Sequence, residues 1–309
     1  MKKNCLLCFL LFFSCHSALA GESLDSLLNV LDKTIKEADT YVQIKENKLH
    51  ELKKEARKTP PFSVERYHLN NDIYLEYKAY SSDSALHYLN ENMLLARQLN
   101  DKERELKIQL ELSYLLSSIG MYMEAADILN SIDRQTLPSS LLGHYYTCYE
   151  HVYSEAGAAQ PRYKMFASRY AKLSHAYRDS MQVTLDPSSA TYLWLRETQL
   201  REAGKYDEAL EFSDRRLAES SFGTPQYALV AYQRFRLFES MGKKDEHLYY
   251  LVLSAISDVR SAIKEQSSLM VLAQELNSKG DLKRAYDYIN FSWEISQFYK
   301  TRLRSWMNI

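Results

Sequence analysis

The sequence predicts an all-α fold of stacked antiparallel helical hairpins, and three observations carry that prediction. Only 8 glycines and 6 prolines punctuate 309 residues, and Leu, Ala, Glu, Lys, Gln and Arg fill the stretches between them. Strands joined by frequent tight turns have no place in such a chain. Gly204, Gly242 and Gly280 stand 38 residues apart, each between two helix-forming segments, and Gly120 and Gly157, 37 apart, are expected to mark the same kind of junction. Apolar residues recur at helical spacing on both sides of these glycines.

The last unit is the most regular. Leu269, Leu272, Ala273 and Leu276 form one apolar face, Gly280-Asp281-Leu282 turns the chain, and Ala285, Ile289 and Trp293 form the face of a second helix. Small residues are needed where two antiparallel helices approach closely, which gives Ala273 and Ala285 a packing role. An earlier unit repeats the pattern with Leu112, Ser113 and Leu116, the turn Gly120-Met121-Tyr122, and then Ala125 and Leu129. Gly204-Lys205-Tyr206-Asp207-Glu208-Ala209-Leu210 has the same form.

From Ser63 onward these units resemble the tetratricopeptide repeat (TPR). The resemblance implies a TPR-like α-solenoid over residues 63–309, a right-handed superhelix of about six antiparallel hairpins, the first a degenerate one around Ser82-Asp83-Ser84-Ala85-Leu86. The chain departs from the TPR pattern at His247, where Ala is expected, and at Glu197, where a small residue is expected. The third unit is stretched, with 47 residues between Gly157 and Gly204, and Asp186-Pro187-Ser188-Ser189 is expected to end its long second helix.

Residues 1–20 read as a secretory signal peptide: Lys2 and Lys3, an apolar run from Cys5 to Phe13 too short to span a bilayer, and Ala18-Leu19-Ala20 before Gly21. Cleavage after Ala20 is expected, with lipid attachment at Cys15 as the alternative. The processed chain would keep Cys148 alone of the four cysteines, so packing rather than a disulfide must stabilise it. It would carry 37 basic and 40 acidic groups, which excludes the basic footprint of a nucleic-acid binder. Residues 21–62 contain Leu27, Leu28, Leu31 and Ile35, then Val42, Leu49 and Leu52, among many charges. They read as amphipathic helices that cover the first repeat and end at Pro60-Pro61. The last helix is expected from about Leu282 to Trp306 with no terminating signal, so the chain is expected to continue past Ile309.

A closer resemblance rests on three segments: Leu253 to Lys264 (LSAISDVRSAIK), Arg284 to Trp293 (RAYDYINFSW), and Arg302-Leu303-Arg304-Ser305-Trp306. With these the chain is similar to the exported half of bacterial membrane-spanning TPR regulators, relatives of starch-utilisation regulators. The resemblance implies a periplasmic sensor portion, with a transmembrane helix, a coiled coil and a cytoplasmic output domain in a continuation. A membrane anchor is expected only there.

Catalytic signatures are missing from the sequence: no phosphate loop, dinucleotide turn, Gly-x-Ser-x-Gly elbow or His-Glu-x-x-His helix occurs. His144, Cys148 and His151, at i, i+4 and i+7, have metal-like spacing. The tyrosines around them point instead to ordinary hairpin packing, and no metal or cofactor is expected. Tyrosine is abundant, 24 against 11 Phe and 3 Trp, and suits both groove walls and half-buried seams.

The expected function is binding. In a TPR-like stack the first helix of each hairpin faces the concave side, where a peptide, a protein or a glycan fragment would lie. Residues displaced by one from the packing positions give the expected groove: Tyr74 and Tyr77 in the first unit, Tyr114 in the second and His151 in the third. Trp194 and Arg201, then Tyr232 and Arg236, then Gln274 continue it. A passive envelope scaffold and a metal-dependent enzyme are the competing readings.

Overall fold

The computed structural model describes residues 24–160, 162–264 and 267–299, and among them there is no strand. The expected signal peptide and the end of the last helix around Trp306 lie outside the described residues. Two helices come first, α1 (Leu24–Lys36) and α2 (Ala38–Lys58). Hairpins follow: α3 (Val64–Tyr77) with α4 (Ser82–Gln98), α5 (Lys102–Ser118) with α6 (Tyr122–Ser131), and α7 (Ser139–Ala158) with α8 (Lys164–Thr184). The remaining pairs are α9 (Ala190–Glu202) with α10 (Tyr206–Ala218), α11 (Pro225–Ser240) with α12 (Lys244–Arg260), and α13 (Ser268–Lys279) with α14 (Leu282–Tyr299).

The two helices of a hairpin begin differently. Four of the six first helices carry side-chain caps: Ser63, Asp101, Ser189 and Thr224 each accept the backbone N–H three residues on. Second helices follow tight turns, and Gly120, Gly204, Gly242 and Gly280 take the positive φ (71 to 87°) that closes the preceding helix. Gly157 corrects the sequence reading. It lies inside α7, where a Cβ would make an ordinary contact with Tyr170 Cβ at 3.4 Å, so it marks no turn.

The C-terminal packing is built around α12, where every residue from Leu251 to Val259 is buried. A helix that is apolar nearly all round needs neighbours on several sides; α11, α13, α1 and α2 supply them. Here too the structure corrects an expectation. α2 packs on α3, as a cover for the first repeat would, but α1 lies on α12, with Leu27, Leu28 and Leu31 in the same core as Phe235, Leu272 and Tyr288. Each buried leucine contributes about 1.5–3 kcal/mol relative to exposure. Arg284 donates to Asp32 (3.0 Å) and Asn29 (2.7 Å), and the Tyr288 hydroxyl donates to Asp32 (2.6 Å). The Lys264 N–H also donates to the Ala79 carbonyl at 2.8 Å, tying the loop after α12 to the turn of the first hairpin.

A different joint connects α9 and α10 to α11. Its apolar cluster has only Leu200, Ala209 and Leu237 fully buried. Glu197, where a small residue was expected, is buried and accepts from Arg216 at 2.5 Å, and Arg216 also donates to Gln233. Arg234, buried beside them, is 2.6 Å from Asp214 and lies over the Tyr250 ring.

Candidate binding face along the first helices

First helices α5 and α7 touch directly, whereas the second helices beside them, α4, α6 and α8, have no comparable contact with one another. A connected polar and aromatic row crosses α5 and α7 from the end of α3. Glu111 is its centre. The Tyr74 hydroxyl donates to it at 2.7 Å, Lys78 Nζ donates at 3.2 Å, and His144 Nε2 lies 3.6 Å away. Burial pushes the Glu111 pKa up, but the Lys78 ammonium, the His144 ring and the hydrogen bonds from Tyr74 and Lys78 together hold it below the usual carboxylate range.

The next turn of the row is a stack. His151 lies flat on Tyr114, with ring centres 3.9 Å apart and planes 8° from parallel, and His151 Nε2 is 3.0 Å from the Ser118 hydroxyl. Lys78 Nζ is 4.4 Å from the Tyr114 ring centre, so one ammonium serves both Glu111 and the aromatic pair. Burial, with a smaller push from Lys78, lowers the His151 pKa to about 3, and burial also lowers that of His144 against the pull of Glu111. The arrangement offers an ammonium, a carboxylate and aromatic rings held in place by the fold.

The His144, Cys148 and His151 constellation is divided among different partners. His144 faces Glu111, His151 stacks on Tyr114, and the fully buried Cys148 donates its thiol to the Leu110 carbonyl at 3.3 Å. Burial pushes the Cys148 thiol well above its ordinary pKa. Among the described residues, no group of three or more His, Cys, Asp or Glu could hold a metal ion.

Two expected groove residues are corrected. Tyr74 is fully buried and spends its hydroxyl on Glu111, and Tyr77 is buried beneath α2, where Lys53 donates to its hydroxyl at 2.6 Å. The exposed stripe of α3 runs one residue later, through His68 and Leu75. Tyr114 and His151 are half-buried and brought together. Trp194 is half-buried against the core that holds Cys148 and Tyr149, Arg201 is half-buried, and Tyr232 packs on Phe235 with ring centres 5.4 Å apart. Arg236 is exposed and paired with Glu239 at 2.7 Å, and Gln274 is exposed. Much of the remaining tyrosine belongs to the α7–α8 seam, where Tyr149 stacks on Tyr177 at 4.6 Å and Tyr153 on Tyr170 at 6.1 Å.

The sequence reading missed Lys78 and Glu111, the two charges that organise the row. A signal for them exists: Glu111 lies 37 residues after Tyr74, one repeat on, and Lys78 lies one helical turn after Tyr74.

No curated protein and no solved structure matches the chain. The family model of the SusR N-terminal TPR domain does match, over residues 35–308, nearly all of the helices described above. With its hairpins, its turn glycines and this match over most of its length, the chain belongs to the SusR N-terminal TPR domain family.

Proposed function

We propose that this TPR domain is the recognition part of a regulator and binds a ligand or partner along the inner face of its first helices. The observation that carries the reading is the composition of that face. A merely solvated face would be mostly free Lys and Glu, whereas Lys78, Glu111, Tyr114, His144 and His151 form a fixed row of charge and aromatic surface. The reading assigns no catalytic step: Cys148 is held as a buried thiol, and His144 and His151 are engaged by Glu111 and Tyr114.

The ligand is proposed to be a peptide, a protein segment or a glycan fragment. Arg201 and Arg236 extend the face on α9 and α11, and they test it better than Trp194, whose half-burial makes its removal a packing change as well. In a thermal-shift screen against soluble peptides and glycan fragments, a bound probe raises the melting temperature by mass action. The shift should shrink when Arg201→Ala and Arg236→Ala are combined, while helical content stays unchanged. A probe that shifts the variant as strongly as the wild type would place binding elsewhere and favour the envelope scaffold.

The chain is further proposed to be exported through residues 1–20, with a membrane anchor only if it continues past Ile309. Among the described residues no helix is long and apolar enough to cross a membrane. Mass measurement of the processed protein tests the first part, since Gly21 should be its first residue. Reading the gene downstream tests the second, where an apolar run of about 20 residues is expected.

A further inference from the structure

The α7–α8 hairpin carries a surface that the recognition face does not use. Its helices are 20 and 21 residues long, and α8 buries only Ser174, at its midpoint, and Met181 in its second half. The first half projects as a tip. Tyr163 is 65% exposed, Met165 73% and Phe166 41%. Arg162, Lys164, Arg169 and Lys172 stand among them, all exposed, and no carboxylate occurs between Arg162 and Lys172.

Helical geometry gathers these groups. Met165, Arg169 and Lys172 fall at i, i+4 and i+7 on the outward stripe of α8, with Phe166 one step round, while Tyr170 turns inward to stack on Tyr153. Local composition sets the tip apart: four exposed cations stand within residues 162–172 and no carboxylate among them. Some exposed cations elsewhere are neutralised nearby, as in Lys48 with Glu76 and Lys102 with Glu105, and others, such as Lys36 and Lys244, stand close to acidic neighbours in sequence. Among the described residues none of the four tip cations is held in an ion pair.

Protruding apolar side chains interleaved with unpaired cations are what an anionic bilayer requires of a docking surface. The apolar groups enter the boundary between headgroups and acyl chains, and the cations stay at the phosphates. A protein partner would instead need pockets shaped to Met165 and Tyr163, whereas a fluid surface accommodates side chains that project this far. We propose that the α7–α8 tip docks on a bilayer through anionic phospholipid headgroups. This assignment is independent of what the first-helix face binds.

Vesicle co-sedimentation tests it, with phosphatidylcholine alone and with phosphatidylglycerol added. The whole chain is used, and the result is read as the difference between wild type and variants, because any contribution from the apolar run Cys5 to Phe13 is common to all. Wild type should partition at least about tenfold more strongly onto the anionic vesicles, and salt at about 0.5 M should largely abolish the preference. Arg169→Glu with Lys172→Glu should remove about tenfold or more of the anionic binding. Met165→Ser with Phe166→Ser should weaken it as well, and every altered side chain is exposed, so helical content is the control for folding. Equal binding of wild type and the charge-reversed pair would overturn the proposal. So would retention by soluble polyglutamate without retention by anionic vesicles, which would assign the tip to an acidic protein.

Discussion

Two joints hold neighbouring hairpins together by opposite means. Around α12, seventeen buried residues from α1 and α11–α14 form one apolar cluster. Between α9–α10 and α11, three buried apolar residues stand beside the buried charges of Glu197, Arg216 and Arg234. Apolar burial needs only shape, but burying an ion costs several kcal/mol that geometry must offset. The cost is visible in Glu197, whose pKa burial raises by more than Arg216, with Arg234 and Arg201, can lower it. The charged joint therefore depends on its partners being complete, whereas the apolar joint depends on its volume being filled.

The sharpest way to break this contrast is to remove one ion. Glu197→Ala should lower the free energy of unfolding by about 3–5 kcal/mol, because Arg216 is left buried without its carboxylate. Glu197→Leu combined with Arg216→Met should return stability to within about 1 kcal/mol of wild type or exceed it. Urea unfolding distinguishes the cases, and a double variant as weak as the single would show that the charges are not coupled.

At the apolar joint, Leu31→Ala should cost about 3 kcal/mol, since Leu31 is fully buried against α12. Arg284→Ala, in the same contact but part-exposed, should cost only about 1 kcal/mol. If the arginine proved the costlier of the two, α1 would be held by charge rather than by its leucines.

The Tyr114–His151 stack adds a pH dependence. His151 titrates near 3 in the fold and near its ordinary value of about 6.5 when unfolded, so only the unfolded chain gains the proton in between. Its contribution is complete above about pH 6.5 and declines as pH falls toward 3, by about 2 kcal/mol between pH 7 and 5. Glu197 has the opposite sign: its folded pKa is raised, so its contribution is fullest in acid and is lost as pH rises through that value. Unfolding measured at pH 7 and 5 should show the decline in wild type and about 2 kcal/mol less of it in His151→Phe. An unchanged slope would remove His151 from the explanation. The smallest effect is at the surface, where Arg236→Ala should change stability by less than about 0.5 kcal/mol because its pairing with Glu239 is exposed.

The hairpins were legible in the sequence because their physics is local. A turn glycine with positive φ and an apolar stripe on each side mark Gly120, Gly204, Gly242 and Gly280 without reference to distant residues. Gly157 misled because glycine also occurs inside helices, and here it lies within α7 rather than at its end. The binding face was read less well in α3, where α2 covers Tyr77 and moves the exposed stripe by one residue. Lys78 and Glu111 look like ordinary surface charges until three helices bring them beside Tyr74 and His144. The seat of α1 was not legible, because an amphipathic stripe states that it must be covered without naming what covers it.

That seat changes what kind of object the repeat array is. An open array can gain or lose a unit at little cost, since each repeat meets only its neighbours. Here Asp32 meets Arg284 across 252 positions of sequence, and Lys264 meets Ala79. The number of intervening hairpins and the bend of each must therefore add up to a fixed span, as the links of a closed bracelet must. Deleting the α9–α10 hairpin would leave α1 reaching for a surface displaced by a whole repeat. Such long-range closure also raises contact order, which slows folding and ties the first and last repeats into one cooperative transition.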